Sequence, residues 1–251
     1  MILRISRTLP YLSLLLAVAA VVLLGLGPLG WRAGWWHFRL AFQFFMPAAA
    51  YCGIVAVCLA LIGFIFGTRR PNAARHGWVC MLAFVVGAAI AYIPWHYDQL
   101  RRSVPPIHDV TTDWQNPPQF RAILPLRQAQ QANPVAYEGA KVSDLQRQAY
   151  PDIKPVETKT PTADAFVRAL KTAERMGWTI VASDPEARVI EASERSRWFG
   201  FVDDIVIRIT PTDSGSRIDI RSVSRVGRGD FGVNAARVRH YLAALRDTAE
   251  H

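Results

Sequence analysis

The first 97 residues of this chain contain no aspartate and no glutamate, although the whole sequence has 20 acidic residues. Every acidic residue therefore lies after Tyr97. Three long stretches within the first 97 residues also lack lysine and arginine, and they cover residues 8–31, 40–67 and 77–95. This absence of charge divides the sequence into a membrane part and a part of ordinary water-soluble composition.

Each of the three uncharged stretches is about as long as the ~20 residues that a helix needs to cross the hydrocarbon core of a bilayer. Because every backbone amide in lipid must be paired within its own segment, such stretches predict spanning helices. Transporters and proton pumps usually need ionisable side chains inside the membrane. The absence of such side chains here favours anchoring over transport.

Cysteine is missing from the soluble part, since Cys52, Cys58 and Cys80 all fall within the predicted membrane segments. The soluble part therefore has no disulfide, no thiolate nucleophile and no cysteine metal site. It must be stabilised by its own core, for which about 150 residues are sufficient. We expect no metal and no cofactor.

The formal net charge of +9 and the pI near 9.9 are typical of a nucleic-acid-binding protein, but the charges are distributed differently. Residues 1–97 carry seven arginines, while residues 98–251 carry 22 Lys and Arg against 20 Asp and Glu. The soluble part is therefore nearly neutral. Because a nucleic-acid interface needs a basic face on the domain itself, we expect no nucleic-acid partner.

The arginines in the loops between membrane segments act as topology signals. Two arginines lie between the first and second segments, and two more follow the third, where they reduce the asymmetry. Five others flank the first segment or separate the second from the third. The bias predicts a cytoplasmic N-terminus and a C-terminal domain outside the cytoplasm. The first pair is Arg32 and Arg39, and the pair after the third segment is Arg101 and Arg102. The five others are Arg4, Arg7, Arg69, Arg70 and Arg75.

The pattern divides the chain into a membrane domain over residues 1–97, a Pro/Gln-rich connector over 98–152 and a core over 153–251. Small residues at fourfold spacing predict close helix packing in the membrane domain; they are Gly63 and Gly67 in one segment, and Ala83, Gly87 and Ala91 in another. The core has the order strand, helix, four strands, helix, with alternating residues such as those at 205–210. This predicts an α+β fold, in which an antiparallel sheet carries helices packed on one face.

Residues 227–232 match the dinucleotide-binding pattern GxGxxG, but the preceding strand belongs to a hairpin and only about twenty residues follow. A Rossmann site is therefore rejected. One remaining hypothesis is an anion or ligand site at the start of the last helix, formed by Arg225, Gly227, Arg228, Gly229, Asp230, Gly232 and Asn234. The alternative is structural: glycines at positive φ, a helix cap from Asp230 or Asn234, and arginines paired with Asp203, Asp204 or Asp219.

Two other polar groups suggest chemistry less specifically. One group follows a proline pair and consists of His108, Asp109 and Asp113. These residues could bind a metal or act as acid and base, or they could simply form a turn. Asp203 and Asp204 are adjacent in a predicted strand and therefore point to opposite faces, so they cannot act as one carboxylate pair.

Four blocks of sequence carry a family resemblance, and they are residues 106–113, 150–152, 198–204 and 222–234. They resemble the domain-of-unknown-function 1499 family, and the similarity extends from about residue 105 to the C-terminus. The resemblance implies a module without a defined chemistry, and it adds weight to the matching polar positions named above. Some bacterial members carry apolar helices before this domain, which implies a bacterial inner membrane and a periplasmic domain.

Three functional hypotheses follow from the sequence. The first is a non-catalytic, membrane-anchored domain that binds an anionic lipid, another envelope component or a partner membrane protein. The second is an envelope hydrolase that uses carboxylates such as Asp109, Asp203 or Asp230. The third is a scaffold subunit of a membrane complex.

Overall fold

The structure is a computed structural model that describes residues 2–67 and 72–247, with the side chains of residues 2–7 excluded. Arg69 and Arg70, on which the topology prediction partly depends, lie outside the described residues, as do the side chains of Arg4 and Arg7. The chain forms two compact units. One consists of residues up to Leu100 together with Trp198–Gly200, and the other consists of the remaining described residues from Arg101 onward. The domain boundaries given above stay predictions.

Three helices in the first unit are long and apolar enough to span a membrane, as the uncharged stretches predict. They are α1 (Ile2–Arg32), α2 (Phe38–Gly67) and α3 (Ala73–Ser103). A π-helical turn interrupts α2 at Ala41–Phe45. Helix α3 continues through Pro94 and ends eight residues beyond the apolar stretch, so that its last turns contain charged residues.

Small residues let these helices approach closely, as their spacing predicts. A Cβ atom on Gly53 would lie only 2.6 Å from the Gly87 carbonyl oxygen, and one on Gly63 only 3.1 Å from the Cys80 sulfur. Ala91 also contacts the position of Gly53. A buried cluster of small side chains connects the three helices: Ala17, Ala56, Ala60, Cys80 and Ala83.

The second unit contains one antiparallel sheet whose last four strands form a meander. Its strands are β1 (Asp109–Thr111), β2 (Val156–Thr158), β3 (Thr179–Asp184), β4 (Val189–Arg195), β5 (Val202–Thr212) and β6 (Gly215–Ser224). The order is β1-β6-β5-β4-β3, and β2 pairs with β6 beside β1. The α+β prediction is therefore confirmed. Strand β1 was not predicted, because three residues are too short for a recognisable alternation.

Helices α6 (Thr162–Arg175) and α7 (Val233–Asp247) cover one face of the sheet. Their apolar side chains pack on the isoleucines of β5 and β6, which alternate as predicted. Tyr241 stacks on Trp178 with ring centroids 5.3 Å apart and donates its hydroxyl to the Ala169 carbonyl at 3.0 Å. Burial of these side chains provides the main apolar core of this unit. Pro161 occupies the N-cap position of α6 without a side-chain cap bond.

The opposite face of the sheet is also buried, although its residues are largely polar. The connector covers it with α4 (Leu124–Ala129) and the loops on either side, while α5 (Ala140–Ala149) binds the edge strand β1 through Gln146. The Glu191 carboxylate on β4 accepts three consecutive backbone N–H groups, from Arg121, Ala122 and Ile123. This contact ties the connector to the sheet just before α4 begins.

Candidate functional site

The glycine–arginine loop, residues 225–232, connects β6 to α7. Gly227 has φ +90° and Gly232 has φ +79°, and Phe231 between them also has a positive φ of 56°. Glycine suits two of these three positions because it has no Cβ. Gly229 is different: it is absent from the positive-φ residues, and a Cβ there would make an ordinary contact with Pro106 at 3.4 Å.

Asp230 caps the N-terminus of α7. Its Oδ1 accepts the Gly232 N–H at 2.9 Å and its Oδ2 accepts the Asn234 N–H at 2.7 Å. Burial raises the pKa of the Asp230 carboxyl, against these two backbone hydrogen bonds, which favour the charged form. The carboxylate therefore has a structural role at the position where the anion hypothesis places a ligand.

The two arginines of the loop differ in exposure. Arg225 is buried and donates through Nε and Nη2 to both oxygens of Asp204, at 2.8 and 2.7 Å, and through Nη1 to Gln130 at 2.8 Å. Arg228 is exposed. Because the donors of Arg225 are occupied within the protein, its geometry argues against a role in anion binding and leaves Arg228 as the exposed cation of the loop.

Asp203 and Asn234 form a second buried network beneath the start of α7. Arg237 donates to Asp203 at 2.7 Å and to Glu194. The Asn234 amide accepts from the Ser222 hydroxyl at 2.6 Å and donates to the His108 carbonyl at 3.1 Å. These contacts join the helix to three strands and place the Asp203 carboxylate beside a guanidinium.

Asp204 lies on the other face of β5, where it accepts from Arg127 at 2.6 Å as well as from Arg225. The two adjacent aspartates are therefore directed to opposite faces of the sheet. Asp109, on β1, belongs to the same face as Asp204 and forms a bidentate pair with Arg221 at 3.0 and 2.7 Å.

Arg221 has no exposed surface, and each nitrogen of its guanidinium donates a hydrogen bond. It donates to the Pro118 and Val135 carbonyls of the connector and lies between the rings of Phe120 and Tyr137, at 5.6 and 5.5 Å from their centroids. A buried arginine held this way joins the connector to the sheet.

Asp113 and His108 are not brought together. Asp113 accepts from Arg208 at 2.9 Å and lies 3.5 Å from Arg217, whereas His108 is half-buried and contributes its backbone carbonyl to Ser224 and Asn234. Among residues 2–67 and 72–247, no group of three His, Cys, Asp or Glu side chains is arranged to hold a metal ion.

Sequence reasoning missed several residues of these networks. Arg127, Glu191 and Arg221 form the polar layer between sheet and connector. Asp219 does pair with arginines, as the structural alternative expects, but its partners are Arg208 and Arg217 of the sheet. The alternation in β5 and β6 assigned their polar face correctly, but a polar face is ordinarily read as solvent-exposed. The length of the Pro/Gln-rich connector was the signal that could have indicated burial, because the connector is long enough to cover the polar face of the sheet.

The comparisons with known proteins agree with this division of the chain. A family model described as a protein of unknown function (DUF1499) matches residues 109–245, which is more than half of the chain. The chain belongs to this family. Among curated proteins, none matches it significantly.

Proposed function

We propose that this protein is a multi-pass anchor in a bacterial inner membrane that presents its C-terminal domain outside the cytoplasm as a non-catalytic binding module. Three apolar helices and the family assignment of residues 109–245 support the anchored-module part of the proposal. The arginine asymmetry of the loops supports the orientation.

The pairing of the carboxylates is the observation that carries the non-catalytic part. An acid–base enzyme needs two titratable groups that converge on a substrate in a cleft. Asp109 and Asp203 are each held by an arginine, on opposite faces of the sheet, and Asp230 is used as a helix cap. Because these carboxylates already have internal partners, binding is favoured over hydrolysis.

A topology experiment tests the orientation. A reporter that is active only outside the cytoplasm is fused after residue 251, and a second copy is fused after residue 70. We expect activity from the first fusion and silence from the second. The opposite pattern would place the domain in the cytoplasm and overturn this part of the proposal.

Native mass spectrometry of the detergent-extracted full chain tests binding against catalysis. A binding module is expected to release a co-purified small molecule whose mass does not change during incubation with the protein. Cleavage of that molecule by the wild type, lost in Asp203→Asn or Asp109→Asn protein that still folds, would instead support the hydrolase hypothesis.

A further inference from the structure

An open groove of about 620 Å³ lies in the second unit, apart from the glycine–arginine loop. Its volume is within the range of about 300–1,000 Å³ that is typical of small-molecule sites. One wall consists of residues 112–116, which follow β1, and the other contains Lys154 and Pro155, which precede β2, and Glu157, which lies within β2. Arg217 of β6 completes the lining.

The charges in and below this groove balance. Asp113 and Asp219 together bind Arg208 and Arg217, with distances between 2.9 and 3.5 Å. The walls add one exposed lysine and one exposed glutamate, Lys154 and Glu157. Because the arginines are already neutralised by aspartates, a strongly anionic or cationic ligand gains little here. The groove therefore fits a ligand without net charge.

The uncharged lining combines a flat aromatic surface with free amides. Trp114 is half-buried, and its indole N–H is buried without a hydrogen-bond partner among the described residues. The guanidinium of Arg147 on α5 lies over the Trp114 ring, 5.6 Å from its centroid. The backbone N–H groups of Gln115 and Asn116 are both bound by Asp113 Oδ1, at 3.2 and 3.0 Å, which fixes the turn. Their side chains are exposed, and no partner for either amide is found in the part of the chain that the structure describes.

We propose that this groove binds a neutral saccharide, with a sugar ring stacked on the face of the Trp114 indole opposite the Arg147 guanidinium. A pyranose ring has an apolar C–H face that suits an indole surface, and its hydroxyls both donate and accept hydrogen bonds. The side-chain amides of Gln115 and Asn116 also offer both functions, while Asp113 accepts and Arg217 donates. A few convergent polar groups around an aromatic surface are the usual features of a small-molecule site.

This proposal rests on the proposed function, because a domain outside the cytoplasm meets the neutral glycans of the cell envelope. It specifies the chemistry of the ligand, and it separates that ligand from the anion hypothesis at Arg225 and Arg228. The two sites use different residues, so that they can be tested independently.

The test uses the full chain in nanodiscs of zwitterionic phospholipid, since detergents with sugar headgroups would compete. Calorimetric titrations are made with neutral oligosaccharides of N-acetylglucosamine and of glucose, and with a uronic-acid oligosaccharide of the same length. We expect a neutral oligosaccharide to bind more tightly than its acidic counterpart. Trp114→Ala should weaken that binding roughly tenfold or more, as expected when an aromatic anchor is truncated.

Three further variants keep the result interpretable if Trp114→Ala protein does not fold. Asn116→Ala removes one groove amide and should weaken binding several-fold, whereas Gln148→Ala removes an exposed amide on α5 and should leave it unchanged. Trp114→Phe retains an aromatic face and should retain most of the affinity.

Three results would overturn the proposal: no neutral saccharide binds, the acidic oligosaccharide binds best, or binding is unchanged in both Trp114→Ala and Asn116→Ala protein. None of these results alters the reporter pattern or the native mass spectrum. The saccharide assignment can therefore fail while the anchored binding module stands, and the predicted orientation can fail while saccharide binding is still observed.

Discussion

Asp109, Asp203 and Asp204 share one property at the scale of single residues: each carboxylate lies within hydrogen-bond distance of at least one buried arginine. Transferring such a charge from water is unfavourable unless it is paired and hydrogen-bonded. The arginines meet this requirement, and their donors are used within the protein. Two arginines of the glycine–arginine loop can therefore differ in role, because Arg225 is buried and Arg228 is exposed.

Arg225 and Arg228 form a matched pair for testing this distinction. Arg225→Met should lower the free energy of unfolding by about 2–4 kcal/mol, because Asp204 loses one of its two guanidinium partners. Arg228→Met should change it by no more than about 0.5 kcal/mol, as expected for an exposed loop residue. Amide hydrogen exchange in β5 and β6 of the full chain measures both values. Equal changes in the free energy of unfolding would show that the buried Arg225 contributes no more to stability than the exposed Arg228.

Asp230 gives a pH-dependent prediction. Burial raises the pKa of its carboxyl, so the folded-state pKa lies above the unfolded value of about 4. Its contribution to stability is therefore complete below the unfolded pKa and is lost as the pH rises through the folded value. Asp230→Asn keeps an oxygen for the helix cap and removes this titration.

The melting temperature of Asp230→Asn minus that of wild type should therefore increase as the pH rises from about 3 to about 7. Thermal melting of the full chain in detergent, followed by the circular dichroism of the sheet, measures the difference. A gain that is largest at the acidic end would contradict the direction of the pKa change.

At the scale of secondary-structure elements, the three apolar helices and the sheet use different packing. The helices approach through glycine and alanine, because lipid provides little hydrophobic driving force between them. The sheet has an apolar face under α6 and α7 and a polar, ion-paired face under the connector. The connector is thus an integral part of the domain's packing.

Gly53→Val tests the packing of the membrane helices. A side chain at this position would meet the Gly87 carbonyl oxygen at 2.6 Å and must displace backbone. We expect a loss of about 1–3 kcal/mol, the usual cost of overpacking. Gly25→Val in α1 is the control, since no atom lies within 4 Å of a Cβ there. Thermal melting in detergent should separate the two variants, and equal melting temperatures would contradict the close contact.

At the scale of the whole molecule, the chain has two compact units with separate cores. The second unit contains its own sheet, helices and ion pairs, and it contains no cysteine. It therefore does not need a disulfide to fold. The boundary at Arg101 falls within α3, and the loop Trp198–Gly200 is assigned to the first unit.

A fragment from residue 101 to 251 should be soluble, monomeric and cooperatively folded without reductant, because the core of the second unit is formed within that range. Analytical ultracentrifugation and urea unfolding measure this. A second fragment carrying Trp198→Ser and Phe199→Ser controls for the aromatic loop assigned to the first unit. If both fragments aggregate, the core of the second unit must require the helices or a partner.

The sequence alone determined the membrane helices, the order of the strands from β3 to β6 and the two faces of β5 and β6. These features depend on local composition and on alternation, which are readable from neighbouring residues. The tertiary structure alone decided which charges pair. Asp109 pairs with Arg221, which is 112 residues later in the chain, and Arg127 pairs with Asp204, which is 77 residues later. Such pairs form only when the connector folds back over the sheet, and no local pattern in the sequence encodes that contact.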